Sequence, residues 1–151
     1  MRVQDIMTDR VQTVALAMGL GAAASLMRTK RIRHLVVTDG ERVRGVLSDG
    51  DILRSRATAP DDSRCVADAM SVPAVTVTPA TTVRRAANIM RGQTIGCLVV
   101  TDRDRAVGVV TTSDLLDLIG RGFDRTVART TRWTLKHRVP HRKARRSPVV
   151  W

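Results

Sequence analysis

The 151-residue sequence predicts an α+β fold made of two β-α-β-β-α repeats packed around a pseudo-twofold axis. The first observation behind this is an internal repeat. Adding 63 to a residue number carries Val3, Asp5 and Met7 onto Val66, Asp68 and Met70, and carries the stretch LVVTD at 35–39 onto the same five letters at 98–102. Aligned without a gap, 3–53 and 66–116 agree at 21 of 51 positions, and a repeat of that kind governs the fold. The second observation is that each copy changes hydrophobic period in the same order, strand, helix, strand, strand, helix. The third is length and composition. The chain has room for one domain of two intimately packed halves, and with 43% hydrophobic but only 2% aromatic residues its core must be aliphatic.

The elements follow in order. A short helical turn at VQDIM (3–7) precedes an alternating strand at 11–14, and 19–30 has Leu20, Ala23, Ala24 and Met27 at helical spacing. The runs 34–38 and 42–48, joined by a turn at Asp39, Gly40 and Glu41, read as a hairpin, and a helix opens at Ser48. The second copy repeats this with VADAM at 66–70, a strand at 75–77, a helix over 82–92, strands at 97–101 and 105–110, and a helix from Thr111. The expected organisation is therefore repeat 1 at 1–58, a linker at 59–65, repeat 2 at 66–120 and a tail at 121–151. A three-stranded sheet with one apolar face hardly stands alone, so the copies should pack on each other.

Each repeat ends in a motif with two readings. In GVLSDGD (45–51) a hydroxyl precedes an acid by three residues just before apolar Ile52 and Leu53, and GVVTTSD (108–114) does the same with Thr111 and Asp114. Taken singly, this is a capping box that starts a helix. Taken as a pair in register, it offers two helix starts carrying a hydroxyl and a carboxylate.

The DIMT and DAMS starts, the TV strand before an alanine-rich helix and the paired G-h-h-[ST]-x-x-D endings (h apolar) together make residues 3–119 resemble a tandem pair of cystathionine β-synthase-type (CBS) domains, the Bateman module. The resemblance implies a regulatory binding module whose inter-repeat cleft takes an adenosine-containing ligand: AMP, ADP, ATP or S-adenosylmethionine. By position it assigns ribose to Asp51 and Asp114, and phosphate to Ser48, Thr111, Arg33 and His34. The base would rest on Ile32, Val46, Leu47, Ile95, Val109 and Val110. The chemistry is sound, because a carboxylate accepts from ribose hydroxyls while hydroxyls and N–H groups at a helix start meet phosphate oxygens. Arg33 and His34 correspond to Gly96 and Cys97, so the halves differ where phosphate charge would be met. The proline that this family commonly has before the first helix survives as Pro79 but is Leu16 in the first repeat, and the one after the leucine of the second strand is replaced by Val36 and Val99. Without a proline to stiffen the turn at Leu16, ALAMGLG (15–21) is expected to reshape the adenine end of one cleft. The family also commonly forms disc-like homodimers, for which the helical faces of Leu20, Ala23, Ala24, Met27, Val83, Ala86, Ala87 and Met90 are the expected contact.

Other classes do poorly. Three histidines and two cysteines lack zinc spacing, and there is no G-x-S-x-G, H-E-x-x-H or Walker A motif, so neither a catalytic nor a metal site is expected and no cofactor is required. The start of the chain carries acids, and the apolar-rich run at 15–27 is too short to cross a bilayer, so a cytoplasmic protein away from membranes is expected. The net charge of +12 resides mainly in residues 121–151, where 10 Lys or Arg meet one acid, Asp124. With Trp133 and Trp151 interleaved, that tail raises the alternative of a nucleic-acid binder.

Overall fold

The computed structural model describes residues 1–58 and 63–122. Among these residues are two three-stranded sheets. In the first, β1 (Thr13–Ala15) pairs in parallel with β2 (His34–Asp39), which pairs antiparallel with β3 (Arg42–Ser48). In the second, β4 (Thr76–Val77), β5 (Cys97–Asp102) and β6 (Arg105–Thr111) repeat that order. Helices α1 (Leu20–Lys30) and α2 (Asp49–Thr58) belong to the first repeat, and α4 (Val83–Gln93) and α5 (Thr112–Arg121) to the second. A 3-10 turn (Val3–Asp5) and the short α3 (Val66–Ala69) are the leading turns.

The hydrophobic periodicity explains the cores. Leu20, Ala23, Ala24 and Met27 of α1 are buried with Val14, Leu35, Val37, Leu47 and Ile52; Ala86 and Met90 of α4 are buried with Val77, Leu98, Val100 and Val110. At about 1.5–3 kcal/mol for each fully buried aliphatic side chain, these clusters dominate the stability of each half. The same burial removes Leu20, Ala23, Ala24, Met27, Ala86 and Met90 from the expected dimer contact, because those residues are spent on their own sheets, whereas Val83 and Ala87 are only partly buried and belong to neither core. Among the described residues, the large apolar side chains left exposed on helices are instead Leu53 of α2 and Leu116 and Ile119 of α5, at 71%, 69% and 59%.

The leading segments are exchanged. Val66 completes the core of the first repeat, whereas Val3 completes that of the second. Backbone bonds fix the exchange: the N–H groups of Val66 and Ala67 donate to the carbonyls of Met18 and Leu16, and those of Val3 and Gln4 donate to Thr81 and Pro79. Leu16 and Pro79 thus hold equivalent partners, and the turn without proline keeps the docking of the turn with it. Ser71 pairs with Val46 on the outer edge of β3, and Thr8 with Val109 on that of β6, covering edges that would otherwise invite pairing. Both closures need glycine. A Cβ on Gly45 would overlap the Ser71 carbonyl oxygen, and one on Gly108 would lie 2.7 Å from Met7 Sδ and 3.1 Å from the Thr8 carbonyl oxygen.

Candidate ligand site at the seam between the repeats

Each G-h-h-[ST]-x-x-D motif runs off the end of a hairpin strand into a helix. At the first, Ser48 N–H donates to Asp51 Oδ2 at 2.8 Å and Asp51 N–H donates to Ser48 Oγ at 3.0 Å, a reciprocal capping box. The Ser48 hydroxyl accepts from its own helix, so its hydrogen is left to donate outward. Asp51 is 9% exposed, and its Oδ1 forms an ion pair with Arg54. At the second, Thr111 N–H and the Thr111 hydroxyl both donate to Asp114 Oδ2, at 2.7 and 2.9 Å. Here the hydroxyl hydrogen points inward.

Arg33 and His34 lie where β2 begins, against the start of α2. The Asp49 N–H donates to the Arg33 carbonyl oxygen, and Arg33 Nε donates to Asp49 Oδ2 at 2.7 Å. That hydrogen bond, with the arginine charge, holds the Asp49 carboxyl below its ordinary value against the opposing effect of burial. At the equivalent place in the second repeat, Thr112 N–H donates to the Gly96 carbonyl oxygen, and no charge is present on either residue. The imidazole of His34 crosses the seam. Its Nε2 and Cε1 lie 3.6 and 3.7 Å from where a Cβ on Gly96 would stand, with Thr112 Oγ1 at 3.8 Å. Burial pulls the His34 pKa below its ordinary value, Arg33 adds to this, and Asp49 and Asp51 oppose it. Its counterpart Cys97 is buried, and burial together with Asp114 pushes its thiol up to about 12. At neutral pH both seam residues are uncharged.

The base-floor candidates separate by strand alternation. Leu47 and Val110 point into their own cores and are fully buried, and Ile32 and Ile95 pack against those cores from the side. For Leu47 and Val110 this departs from the grouping of six, because consecutive strand residues face opposite sides; Ile32 and Ile95 precede the strands and keep part of their surface. Val46 and Val109 belong to the other face, with Val36 and Val99 as their β2 and β5 neighbours. Val36 and Val99, at 2% and 0% exposed, are buried away from either core cluster. β3 and β6 approach one another. At the far end of the seam, beside the starts of those strands, Arg105 Nε donates to Glu41 Oε2 at 3.1 Å, an ion pair that joins the two repeats. Asp49 and Arg54, the partners of Arg33 and Asp51, are site residues that the sequence motifs do not single out.

Among the described residues, no group of His, Cys, Asp and Glu side chains is placed to hold a metal, and no helix is long and apolar enough to cross a membrane. Cys65 and Cys97 are free thiols. The basic tail lies outside the described residues, apart from its first two positions, and so does most of the expected linker.

The sequence profile of the CBS domain matches residues 3–58 and again 66–121. The CBS domain-containing protein YhcV of Bacillus subtilis (strain 168) is 32% identical over 114 residues, which cover 75% of this chain and 81% of YhcV. A homoserine O-acetyltransferase of Methanohalobium evestigatum is 33% identical over 119 residues, 78% of this chain but 24% of that protein. The chain therefore spans most of YhcV and about a quarter of the acetyltransferase. Among solved structures, a Vibrio cholerae protein assigned to acetoin utilization (AcuB) superposes with a TM-score of 0.74 at 27% identity, over 80% of this chain and 92% of that one. The CBS domain pair of protein MJ0100, in complex with 5'-methylthioadenosine and S-adenosyl-L-methionine, gives 0.74 at 24%, over 80% and 100%. CBSX2 in complex with AMP gives 0.69 at 23%, over 80% and 96%.

Proposed function

Because the chain belongs to the CBS domain family, with two CBS domains in tandem, we propose that it is a regulatory module that binds an adenosine-containing ligand at the seam between its repeats and has no catalysis of its own. The observation that carries this reading is the pair of helix starts. Each presents a carboxylate, Asp51 or Asp114, whose Oδ2 is oriented by a backbone N–H, beside a hydroxyl, Ser48 or Thr111. In this reading the carboxylates take the ribose hydroxyls. Val46 and Val109 contribute apolar surface to the base, and Ser48, Thr111, Arg33 and His34 line the phosphate side. Leu47 and Val110 support that floor from within the cores, and Ile32 and Ile95 from beside them. The adenosine ligands of MJ0100 and CBSX2, which share this fold, agree with it.

Calorimetric titration with AMP, ADP, ATP and S-adenosylmethionine tests the reading. At least one should bind, and Asp51→Asn or Asp114→Asn should weaken it about tenfold, because a charge-assisted bond to a hydroxyl is lost. If affinity is unchanged while the melting temperature falls, the motifs are capping boxes alone. The nucleic-acid alternative concerns a tail outside the described residues and gains no support from the relatives named above.

We propose further that two modules pair. Leu53 and Leu116 stand at equivalent positions of α2 and α5 and are both largely exposed, with Ile119 one turn beyond Leu116. An apolar patch repeated across a pseudo-twofold suits a self-complementary interface. Light scattering should find a dimer that Leu116→Lys weakens; a monomer at high micromolar concentration ends the idea.

A further inference from the structure

The repeat supplies an internal control for the outward face of α4. That face carries Arg84, Arg85, Asn88 and Arg91, all exposed, where α1 has Gly21, Ala22, Ser25 and Arg28. Both helices pack their inner faces on equivalent sheets, so the fold asks for no charge at positions 84 and 85. The two arginines also stand badly for their own helix. They lie in its first turn, where the positive end of the helix dipole disfavours cations, and from Ala69 to Thr101 the chain has no Asp or Glu to offset them. Among the described residues, none of the ion pairs involves Arg84, Arg85 or Arg91. On the leading turn beside α4, Arg2 Nη1 donates to the Ala80 carbonyl oxygen at 3.3 Å, and Asp5 accepts from the Arg2 backbone N–H at 2.7 Å, so Asp5 offsets Arg2. In α1, by contrast, Arg28 donates to Ser25 Oγ at 3.1 Å. Charge that opposes its own helix and takes no part in packing is a local inconsistency of the kind that marks a functional surface.

We propose that the outward face of α4 is a docking surface for an acidic segment of a partner protein. Arg84, Asn88 and Arg91 form one row at i, i+4 and i+7, about 10 Å long, with Arg85 flanking it. Carboxylates spaced by one and two helical turns match that row, and the planar guanidinium pairs with a carboxylate through two parallel hydrogen bonds. Thr82, Arg84, Arg85, Asn88 and Ile89 border an open hollow, in which the half-buried Ile89 offers apolar surface to a side chain between the acids. A nucleic acid is the poorer occupant. The three aromatic residues of the chain, Phe123, Trp133 and Trp151, lie outside the described residues, so this face holds no ring on which to stack a base, and a phosphate chain makes no use of Ile89. The surface is separate from the seam, and its test needs no nucleotide.

Fluorescence anisotropy on the full chain at low salt, with two labelled probes of equal charge, tests the proposal. One is a helical peptide of about 15 residues with Glu and Leu repeating along one face; the other is a single-stranded oligodeoxynucleotide. The basic tail attracts both probes in every variant, so only differences between variants are read. The triple change Arg84→Gln, Arg85→Gln and Arg91→Gln should weaken the peptide on the order of tenfold. Removing the same charge from α1, by Arg28→Gln, Lys30→Gln and Arg31→Gln, should change it by no more than about twofold. Arg84→Gln with Arg85→Gln should melt no lower than the parent, because two cations leave the positive end of the helix. Equal losses in the two triple variants would reduce the effect to net charge and overturn the proposal. So would an oligonucleotide that loses more than the peptide in the α4 variant, a peptide that fails to bind at millimolar concentration, or a lowered melting temperature in the double variant, which would return the arginines to the service of the fold.

Discussion

The two repeats share a backbone and differ in what they present at the seam. Their sheets have the same order and register, and both helix-to-strand turns use a left-handed residue, Arg31 or Thr94. Both motif glycines are crowded by an exchanged segment. Where nothing crowds the chain, the copies diverge. α1 starts at Gly19 with no side-chain cap, whereas Thr82 caps α4 by accepting from Arg85 N–H at 3.2 Å. The hairpin turn uses Gly40 in one and Arg103 with Asp104, both at positive φ, in the other. Arg33, His34 and Asp49 are opposed by Gly96, Cys97 and Thr112. Steric necessity has held one set of positions alike, and the side chains around the helix starts have been free to acquire different chemistry.

The largest effect should come from the shared glycines, and it should be unequal. Gly45→Ala forces a methyl against a backbone carbonyl, so the β3 edge or the 70–71 segment must move, at about 2–4 kcal/mol. Gly108→Ala meets first the thioether of Met7, which can swing aside, and should cost about 1–2 kcal/mol. Urea denaturation of both variants measures the difference; equal losses would mean that the two exchanged segments are equally rigid.

An intermediate effect should come from acid. Burial depresses the His34 pKa below its ordinary 6.5, Arg33 adds to this, and Asp49 and Asp51 act against it. Between that lowered value and 6.5 the unfolded chain binds more protons than the folded one, so stability falls as pH drops through that window and is intact above it. The Cys97 thiol, pushed up to about 12, stays neutral throughout. The melting temperature should fall by roughly a few degrees from about pH 7.5 to about pH 5.5, and by less in His34→Gln. An equal fall in the variant would move the effect to another group.

The smallest effect sharpens the contrast in capping. Gly19 has extended backbone at φ −66° and ψ 144°, and nothing lies within 4 Å of a Cβ built there. Gly19→Ser should therefore add about 0.3–0.5 kcal/mol, and Thr82→Ala should remove about 1 kcal/mol, both measured by thermal denaturation.

Much of the fold is legible in the sequence alone. The strand at 42–48 has the predicted bounds, and α4 starts and ends within one residue of its predicted range, because a gapless repeat lets each copy check the other. The Ser48 and Asp51 capping pair is legible as well. The Arg33 and Asp49 ion pair is harder to see, although it leaves a signal: both positions are charged in one repeat and both uncharged in the other. Grouping Val46 with Leu47 and Val109 with Val110 ignores the alternation of a strand. The exchange of leading segments leaves no local signal, since a valine on a three- or four-residue helical turn is equally suited to either core.

That exchange bears on how such a molecule can exist at all. A chain holding only one unit would have a core missing its valine and a leading segment with nowhere to dock, and two such chains would satisfy both needs by swapping arms. Joining the units in one polypeptide turns a concentration-dependent handshake between molecules into a tethered one, with an effective concentration that dilution cannot lower. Each half therefore depends on the other for its fold, and an isolated half should regain an intact core only by finding a second copy of itself.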